Sequence, residues 1–240
     1  MNFIGDRSKI RRMSSIPARP RRGRPPKNPA AHADTRGVLL RAGMELLTEQ
    51  GFAATGLDAV LKRVGIPKGS FYHYFESKDA FGRELMDAYD RYFIAKLDRW
   101  LLDDSQPALT RLAAFVEDAK AGMARHDFTR GCLVGNLGLE AGALPEGFRE
   151  RLAAILTGWQ ARVADCLRQA RQERTLAADA DLERLAAFFW IGWEGAVLRA
   201  RLLRDGAPLD TFFDGFLAGL PRARPATGRA RPPADRLPPE

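Results

Sequence analysis

The side chains best suited to binding another molecule are concentrated in residues 67–78 of the chain. An amine, two hydroxyls and an imidazole follow Pro67 within six residues, as Lys68, Ser70, Tyr72 and His73. Phe71 and Phe75 lie among them at the spacing of core positions of a helix. Amine, hydroxyl and imidazole groups form hydrogen bonds with phosphate oxygens and with the edges of bases. The pattern therefore predicts an exposed DNA-binding face above an aromatic core.

Two short helices are predicted to position this group. The first carries apolar side chains on one face and is expected to stop at Gly65. Those side chains are Leu57, Val60, Leu61 and Val64. Ile66-Pro67 starts the second helix, of about two turns, where proline is tolerated because its missing N–H would have no partner. Such a pair is a helix-turn-helix, whose second helix enters the major groove of DNA. The alternative is an ordinary helical hairpin with an aromatic core.

The string from Val64 to Phe75, followed by Lys78, resembles the DNA-binding signature of the TetR family of bacterial repressors. The resemblance begins near Thr35 and is dense to about Tyr89. It implies an all-α protein, in which an N-terminal three-helix helix-turn-helix head (33–80) joins an all-helical ligand-binding and dimerisation body (81–220). It also implies base-edge contacts for Ser70, with Lys68 and Gly69 beside it. Phosphate contacts are implied for Thr55, Tyr72, His73 and Lys78.

The composition fits a folded chain of one or two domains, because 45% of the 240 residues are hydrophobic. No apolar run reaches the length of a membrane span, and the basic start lacks the apolar segment of a secretory signal. Cys132 and Cys166 are too few for a disulfide framework, which fits a reducing compartment. We therefore expect a cytoplasmic protein without a membrane partner, and the resemblance implies that it is bacterial and associated with the nucleoid.

The net charge of +8 comes from the two ends of the chain. Residues 1–32 hold nine Lys or Arg against one acid, and residues 221–240 hold five Arg against two acids. We expect a disordered basic arm and a disordered tail there, which grip phosphates or only aid solubility. Within the arm, Arg22-Gly23-Arg24-Pro25 resembles an AT-hook. The resemblance implies minor-groove contacts for Arg22 and Arg24, with plain phosphate contact as the alternative.

Helical periodicity predicts the rest of the architecture, with a first helix from about Asp34 to Gln50 and a cap at Ser77 for the fourth. The later helices are expected at 78–102, 107–125, 133–140, 146–174, 179–204 and 208–220. The eighth helix is apolar nearly all round from Leu185 to Leu198, so it must be buried on every side. We predict that a second subunit covers the eighth and ninth helices, which gives a homodimer. Burial within the monomer is the alternative.

No pattern typical of an enzyme is present. His32, His73 and His126 are scattered and form no cluster at metal-ligand spacing. A glycine-rich phosphate loop needs a preceding strand, and no strand is predicted. We therefore predict no catalytic residue, no metal and no cofactor.

Three features of the body favour a small-molecule site. The first is Glu194, the only charge between Leu185 and Leu198. A buried carboxylate is costly unless it is paired or protonated, so it should pair with an arginine such as Arg199, cross the dimer interface, or line a cavity. The second is a set of tryptophans on helices that should converge, which suits an aromatic pocket wall or ordinary core packing. They are Trp159, Trp190 and Trp193.

The third feature is Cys132, at a predicted helix start beside Arg130. A helix N-terminus and a nearby cation can lower the pKa of a thiol and make it reactive; the alternative is a buried, inert thiol. The stretch from Gly131 to Leu137 with Glu140, and the stretch from Trp190 to Gly195, resemble the AcuR/NemR branch of the family. That branch responds to acrylate or to reactive electrophiles, and a redox-active cysteine of its members matches Cys132.

These observations predict a ligand-responsive repressor that a small inducer, acrylate or a related electrophile, releases from a palindromic operator. The inducer is expected to tilt the fourth helix and change the separation of the two recognition helices. The alternatives are a regulator of the same type that senses a larger hydrophobic compound, a cysteine-based electrophile-scavenging enzyme, and an architectural DNA-binding protein. The ligand-binding candidates are Cys132, Trp159, Trp190, Trp193 and Glu194.

Overall fold

The computed structural model describes the backbone of residues 29–223 and the side chains of residues 35–223. Within this range the regular secondary structure is helical, apart from one isolated bridge between Leu176 and Arg222. The helices are α1 (Pro29–Gln50), α2 (Leu57–Val64), α3 (Lys68–Phe71), α4 (Lys78–Leu101), α5 (Ala108–Ala124), α6 (Leu133–Leu139), α7 (Phe148–Gln172), α8 (Leu182–Leu203) and α9 (Ala207–Ala218). The predicted all-α class is confirmed, and in the described range no helix is long and apolar enough to cross a membrane.

The head consists of α1, α2 and α3. α2 ends at Gly65, whose φ of 67° lies in the left-handed region that glycine adopts without strain. α3 is a single turn, shorter than the two turns predicted. Phe71 and Phe75 are buried against Phe81 of α4, with ring centroids 5.4 and 4.7 Å apart. This aromatic cluster fixes α3, so its other side can face outward.

The first helix starts earlier than predicted, at Pro29 rather than near Asp34. Proline is favoured at the first helical position, and the two alanines that follow have the highest helix propensity. Residues 29–32 therefore belong to α1, and the disorder expected of the arm stays a prediction. The rest of the arm and residues 224–240 lie outside the described residues.

α4 leads from the head into the body and begins as predicted, with Ser77 Oγ accepting a hydrogen bond from the Ala80 amide at 3.0 Å. α4, α5, α7 and α8 pack around one aromatic and aliphatic core. The ends of the predicted body helices agree with the structure to within three residues.

α8 is not covered on every side by its own chain. Its inner face is buried, but Phe188, Ile191 and Leu202 expose 56%, 75% and 73% of their surface. Leu198 and Leu203 extend the same exposed apolar set. Burial of α8 within the monomer, the alternative considered for its all-round apolar sequence, is therefore wrong.

Candidate functional site

α3 and the two residues that follow it present the side chains selected from the sequence. The exposed or half-buried residues there are Lys68, Gly69, Ser70, Tyr72 and His73. The ring of Tyr72 packs edge to face on Phe71 at 5.4 Å and is otherwise exposed. Lys68 pairs with Asp58 at 3.0 Å, which raises the pKa of the lysine above its ordinary value. The packed aromatic rings thus hold polar side chains at the surface, where they are available to DNA phosphates and to the edges of DNA bases.

Thr55 and Lys78 are engaged inside the head. Thr55 is buried, and its hydroxyl donates to the carbonyl of Gly51 at 2.5 Å. The Lys78 ammonium donates to the carbonyl of Phe52 at 3.1 Å and lies 4.4 Å from the centroid of that ring. Both side chains therefore stabilise the turn after α1, and their assignment to phosphates stays a prediction.

The proposed minor-groove residues, Arg22 and Arg24, lie outside the described residues. Their role also stays a prediction.

A cleft of about 450 Å³ lies between the head and the body. α1 forms one wall, and α4, α5, segment 125–131 and α8 form the others. The cleft is lined mainly by apolar and aromatic groups, with charged groups contributed by several elements. The lining residues are Arg41, Met44, Glu45, Thr48, Tyr89, Tyr92, Phe93, Lys96, Ala119, Gly122, Met123, Arg125, His126, Arg130, Gly131, Cys132, Trp193 and Val197.

Cys132 reaches this cleft from the N-cap position of α6, where its Sγ accepts a hydrogen bond from the Gly135 amide at 3.4 Å. The predicted helix start is correct, but the pKa moves the other way. Burial raises the pKa of the thiol well above its ordinary value, and the nearby Glu194 carboxylate raises it further. Desolvation outweighs the favourable helix N-terminus, so the thiol is protonated at neutral pH.

Glu194 of α8 packs against the same turn of α6. A Cβ at Gly135 would collide with its carboxylate, so glycine makes room for this group. Its Oε1 is buried without a hydrogen-bond partner among the described residues, and the expected partner Arg199 is exposed and does not bind it. Burial raises the pKa of Glu194 to about 7, although the Cys132 thiol lowers it in part. Both side chains also line a smaller cavity of about 200 Å³.

The three tryptophans occupy different positions. Trp193 lines the cleft, whereas Trp159 and Trp190 lie behind it in the core. Trp159 is fully buried and donates its indole N–H to Asp90 at 2.9 Å. Its ring lies 4.2 Å from that of Phe93, between centroids. Trp159 and Trp190 therefore support the floor of the cleft from below.

Polar side chains of the body complete the C-terminal end of α1. The last carbonyls of a helix have no partner within it. Asn136 of α6 donates to the carbonyls of Leu47 and Thr48, both at 2.9 Å. Arg201 of α8 donates to the carbonyl of Glu49 at 2.7 Å. These bonds tie the head to the elements that hold Cys132 and Glu194.

Glu140, at the C-terminal end of α6, holds the next part of the head. Its carboxylate accepts hydrogen bonds from the amides of Phe52 and Ala53 at 3.0 and 2.8 Å. The turn between α1 and α2 is thus fixed by the body. A movement of α6 would therefore be transmitted to both helices.

Two groups of residues were missed from the sequence. Asn136 and Glu140 follow Cys132 at four-residue intervals, which places all three along one side of α6 and was a usable signal. Three cleft cations left no such signal, because they come from elements far apart along the chain. They are Arg41, Lys96 and Arg125, whereas Arg130 was selected as the cation beside Cys132.

Comparison with known proteins gives two family matches. Residues 39–85 match the family described as "Bacterial regulatory proteins, tetR family". Residues 108–216 match the family described as "Tetracyclin repressor-like, C-terminal domain".

Individual relatives span nearly the same length. The chain is 52% identical to the transcriptional regulator AcuR of Cereibacter sphaeroides, over 84% of this chain and 92% of that protein. It is 30% identical to the HTH-type transcriptional repressor NemR of Escherichia coli, over 74% and 89%. Among solved structures, a regulatory protein TetR from Rhodobacter sphaeroides superposes with a TM-score of 0.75 at 50% identity, over 77% of this chain and 97% of that one. The reduced form of E. coli NemR superposes with a TM-score of 0.72 at 30% identity, over 80% and 99%.

Proposed function

The chain belongs to the TetR family of bacterial transcriptional regulators, and we propose that it is a repressor that a small inducer releases from a palindromic operator. Regulators of this family bind DNA operators and small-molecule ligands and act as dimers. The chain is a regulator and not an enzyme, which excludes the cysteine-based scavenging enzyme. One observation carries the proposal: the cleft lies between the body and α1, which is part of the DNA-binding head.

In the proposed complex, each subunit inserts α3 into the major groove of operator DNA in the nucleoid. Ser70, with Lys68 and Gly69, approaches base edges, while Tyr72 and His73 contact phosphates. The exposure of these side chains above the buried ring of Phe71 supports the assignment. Phosphate contacts fix the position of the protein, and base contacts select the sequence.

The dimer is proposed to form through α8 and α9. The exposed apolar residues of α8 support this, because monomeric proteins rarely leave such a continuous patch uncovered. A dimer related by a two-fold axis presents two recognition helices to two half-sites about one helical turn apart. A small change in the position of either head then lowers operator affinity.

For the inducer, we propose an unsaturated acid such as acrylate or a related electrophile, bound in the cleft beside Cys132. The resemblance to the AcuR/NemR branch and the four cations of the lining support an acid. The raised pKa of Cys132 favours reversible binding over covalent addition, since the thiolate is the nucleophile. A larger hydrophobic inducer is the second candidate, and the size of the cleft favours it.

Operator release is the direct test. The full-length protein should enrich a palindromic sequence from a random duplex library and bind it with higher affinity than random duplex DNA, in fluorescence anisotropy at fixed salt. Acrylate should lower that affinity. Equal affinity for palindrome and random DNA would contradict the repressor function and favour an architectural DNA-binding protein.

Cys132→Ser separates the two sensing routes. The variant should keep operator binding because Cys132 lies away from α3. If it also responds to acrylate as the wild type does, with no adduct mass on the wild-type peptide, then sensing is reversible. An adduct on Cys132, together with a variant that stays on the operator, would establish covalent sensing.

A further inference from the structure

We propose that the cleft is a carboxylate site shared by head and body: an unsaturated or aromatic acid binds between Arg41 of α1 and Lys96 and Arg125 of the body. The bound acid thereby changes the position of the head. This inference rests on the proposed function, because it identifies the chemical class of the inducer and its route to the DNA-binding head.

The charges that line the cleft are unbalanced. Lys96 pairs with Asp118 at 3.0 Å, and Arg130 pairs with Glu49 at 3.0 Å. Arg41 and Arg125 are exposed and form no ion pair among residues 35–223. The lining also contains one acid, Glu45, which pairs with Arg130 at 3.5 Å and with Arg63 at 3.7 Å. The lining therefore keeps an excess of positive charge, and such a concave surface attracts anions. Because neither arginine has an acidic partner among residues 35–223, each can form an ion pair with a carboxylate of a ligand.

Arg125 and Lys96 converge on one point at the cleft wall. A Cβ on Gly122 would lie 3.5 Å from Arg125 Nη2 and 3.6 Å from Lys96 Nζ. The two cationic groups therefore lie at the same part of the cleft wall, where Lys96 is paired with Asp118 and Arg125 has no acidic partner among residues 35–223. A carboxylate placed there can pair with Arg125, because a guanidinium binds a carboxylate through two parallel hydrogen bonds.

The apolar floor selects an acid with an apolar body rather than a bare anion. Tyr89, Phe93 and Trp193 supply aromatic surface, and Met123 and Met44 add flexible thioethers. The volume of about 450 Å³ lies within the ~300–1,000 Å³ range of pockets that hold drug-sized ligands. Acrylate alone would leave most of this surface uncovered.

The head-side contact makes the site a coupling site. Arg41 lies on α1, the helix whose last turn is held by Asn136 and Arg201. An acid that binds Arg41 and Arg125 together adds a new link between head and body. A ligand shifts an equilibrium only through its different affinity for the two states, and a link across this junction supplies that difference.

The test compares trans-cinnamate with its neutral isostere cinnamamide and with acrylate, by titration calorimetry on the full-length protein. Cinnamate should bind at least about tenfold more tightly than either, a difference of about 1.4 kcal/mol. Arg41→Ala and Arg125→Ala should each remove most of the advantage of cinnamate over cinnamamide, and Arg125→Lys should keep part of it. Arg149→Ala, at an exposed arginine outside the cleft, should match the wild type.

The possible results distinguish a failure of the proposed carboxylate site from a failure of the proposed repressor function. Equal binding of cinnamate and cinnamamide, or arginine variants that bind cinnamate as the wild type does, would overturn the carboxylate site. Unchanged operator affinity with cinnamate bound would overturn the coupling through Arg41. If the protein lacks sequence-specific operator binding without any ligand, the repressor function fails, and the calorimetry still decides the carboxylate site.

Discussion

Arg201 of α8 donates a hydrogen bond to the side-chain oxygen of Asn136 on α6 at 2.7 Å, so two helices of the body hold the end of α1 as one unit. The amide nitrogen of Asn136 binds the carbonyls of Leu47 and Thr48, and a second nitrogen of Arg201 binds that of Glu49. A polar network in which these groups all find partners is rigid. The pair therefore connects α8, with its exposed apolar face, to the DNA-binding head.

Replacing Asn136 with alanine should loosen this junction. The change removes one of two donors from the carbonyls of Leu47 and Thr48, which keep the amides of Gly51 and Gly131, and it removes the acceptor of one Arg201 nitrogen. We expect a loss of about 0.5–1.5 kcal/mol in the free energy of unfolding. Operator affinity should also fall, because the heads are no longer held at one separation. Urea denaturation and fluorescence anisotropy measure the two effects. Thr157→Ala, which removes only an exposed bond within α7, is the matched control.

A double-mutant cycle tests whether Asn136 and Arg201 act together. Asn136→Ala and Arg201→Ala should cost less in combination than the sum of the single changes, with a coupling energy of about 0.5–3 kcal/mol. Additive losses would mean that each side chain binds α1 independently.

Glu194→Gln should change how stability depends on pH. The pKa of Glu194 in the folded protein is about 7, raised from 4.5 by burial, so the folded state holds its proton more tightly than the unfolded chain does. This contribution is fully present below 4.5 and is lost as the pH rises through 7. Relative to wild type, the variant should gain stability across that window, by about 3 kcal/mol at most.

Denaturant titrations of both proteins at several pH values across the window measure this difference. Glu183→Gln, at an exposed glutamate of the same helix, should show no such trend. A pH-independent difference between Glu194→Gln and wild type would mean that Glu194 titrates normally.

The two cysteines should both resist alkylation in the folded protein. Burial raises the pKa of Cys132 well above its ordinary value and that of Cys166 to about 11, so little thiolate is present at neutral pH. Each pKa unit lowers the thiolate fraction about tenfold. Iodoacetamide labelling followed by peptide mass spectrometry should show both thiols reacting far more slowly than in urea.

Glu194→Gln should speed the labelling of Cys132 and leave Cys166 unchanged, because only Cys132 has the carboxylate beside it. Fast labelling of Cys132 in the wild type would contradict its high pKa and favour covalent sensing.

Much of the fold followed from periodicity and punctuation in the sequence. Gly65 and Ser77 marked helix ends that the structure confirms, because a left-handed turn and an N-cap hydrogen bond are local requirements. α3 came out shorter than predicted, since the chain after Phe71 turns to bury Phe75 rather than to continue the helix.

The site was less accessible to sequence reasoning. The aromatic side chains of Trp159 and Trp190 would suit a pocket wall, yet the packing of α4, α7 and α8 places both in the core. Conversely, the sequence around Arg41 and Arg125 carries no signal, and both line one cleft only because α1 and the end of α5 face it. The direction of the Cys132 pKa also depends on burial, which the local pattern of a helix start does not reveal.

Substitutions on α3 and at Tyr72, directly after it, should weaken operator binding without unfolding the protein. Tyr72→Ala removes an exposed ring and hydroxyl, and Lys68→Ala removes one charge. For Lys68→Ala, affinity for the operator should fall more than affinity for random duplex DNA, because Lys68 is assigned to base edges. Circular dichroism checks the fold, and Arg149→Ala is the control for loss of a positive charge elsewhere. Unchanged affinity in both variants would contradict the assignment of α3.

The basic arm should add affinity more than specificity. Deleting residues 1–27 removes nine Lys or Arg, so operator binding should weaken at low salt and the salt dependence should flatten. If Arg22 and Arg24 enter a minor groove, the loss should be larger for operators with A·T flanks, whose narrow grooves attract arginine. Anisotropy titrations of both proteins on A·T- and G·C-flanked operators measure this. Equal losses on the two flanks would leave phosphate contact alone, and no loss on either would mean that the arm serves solubility.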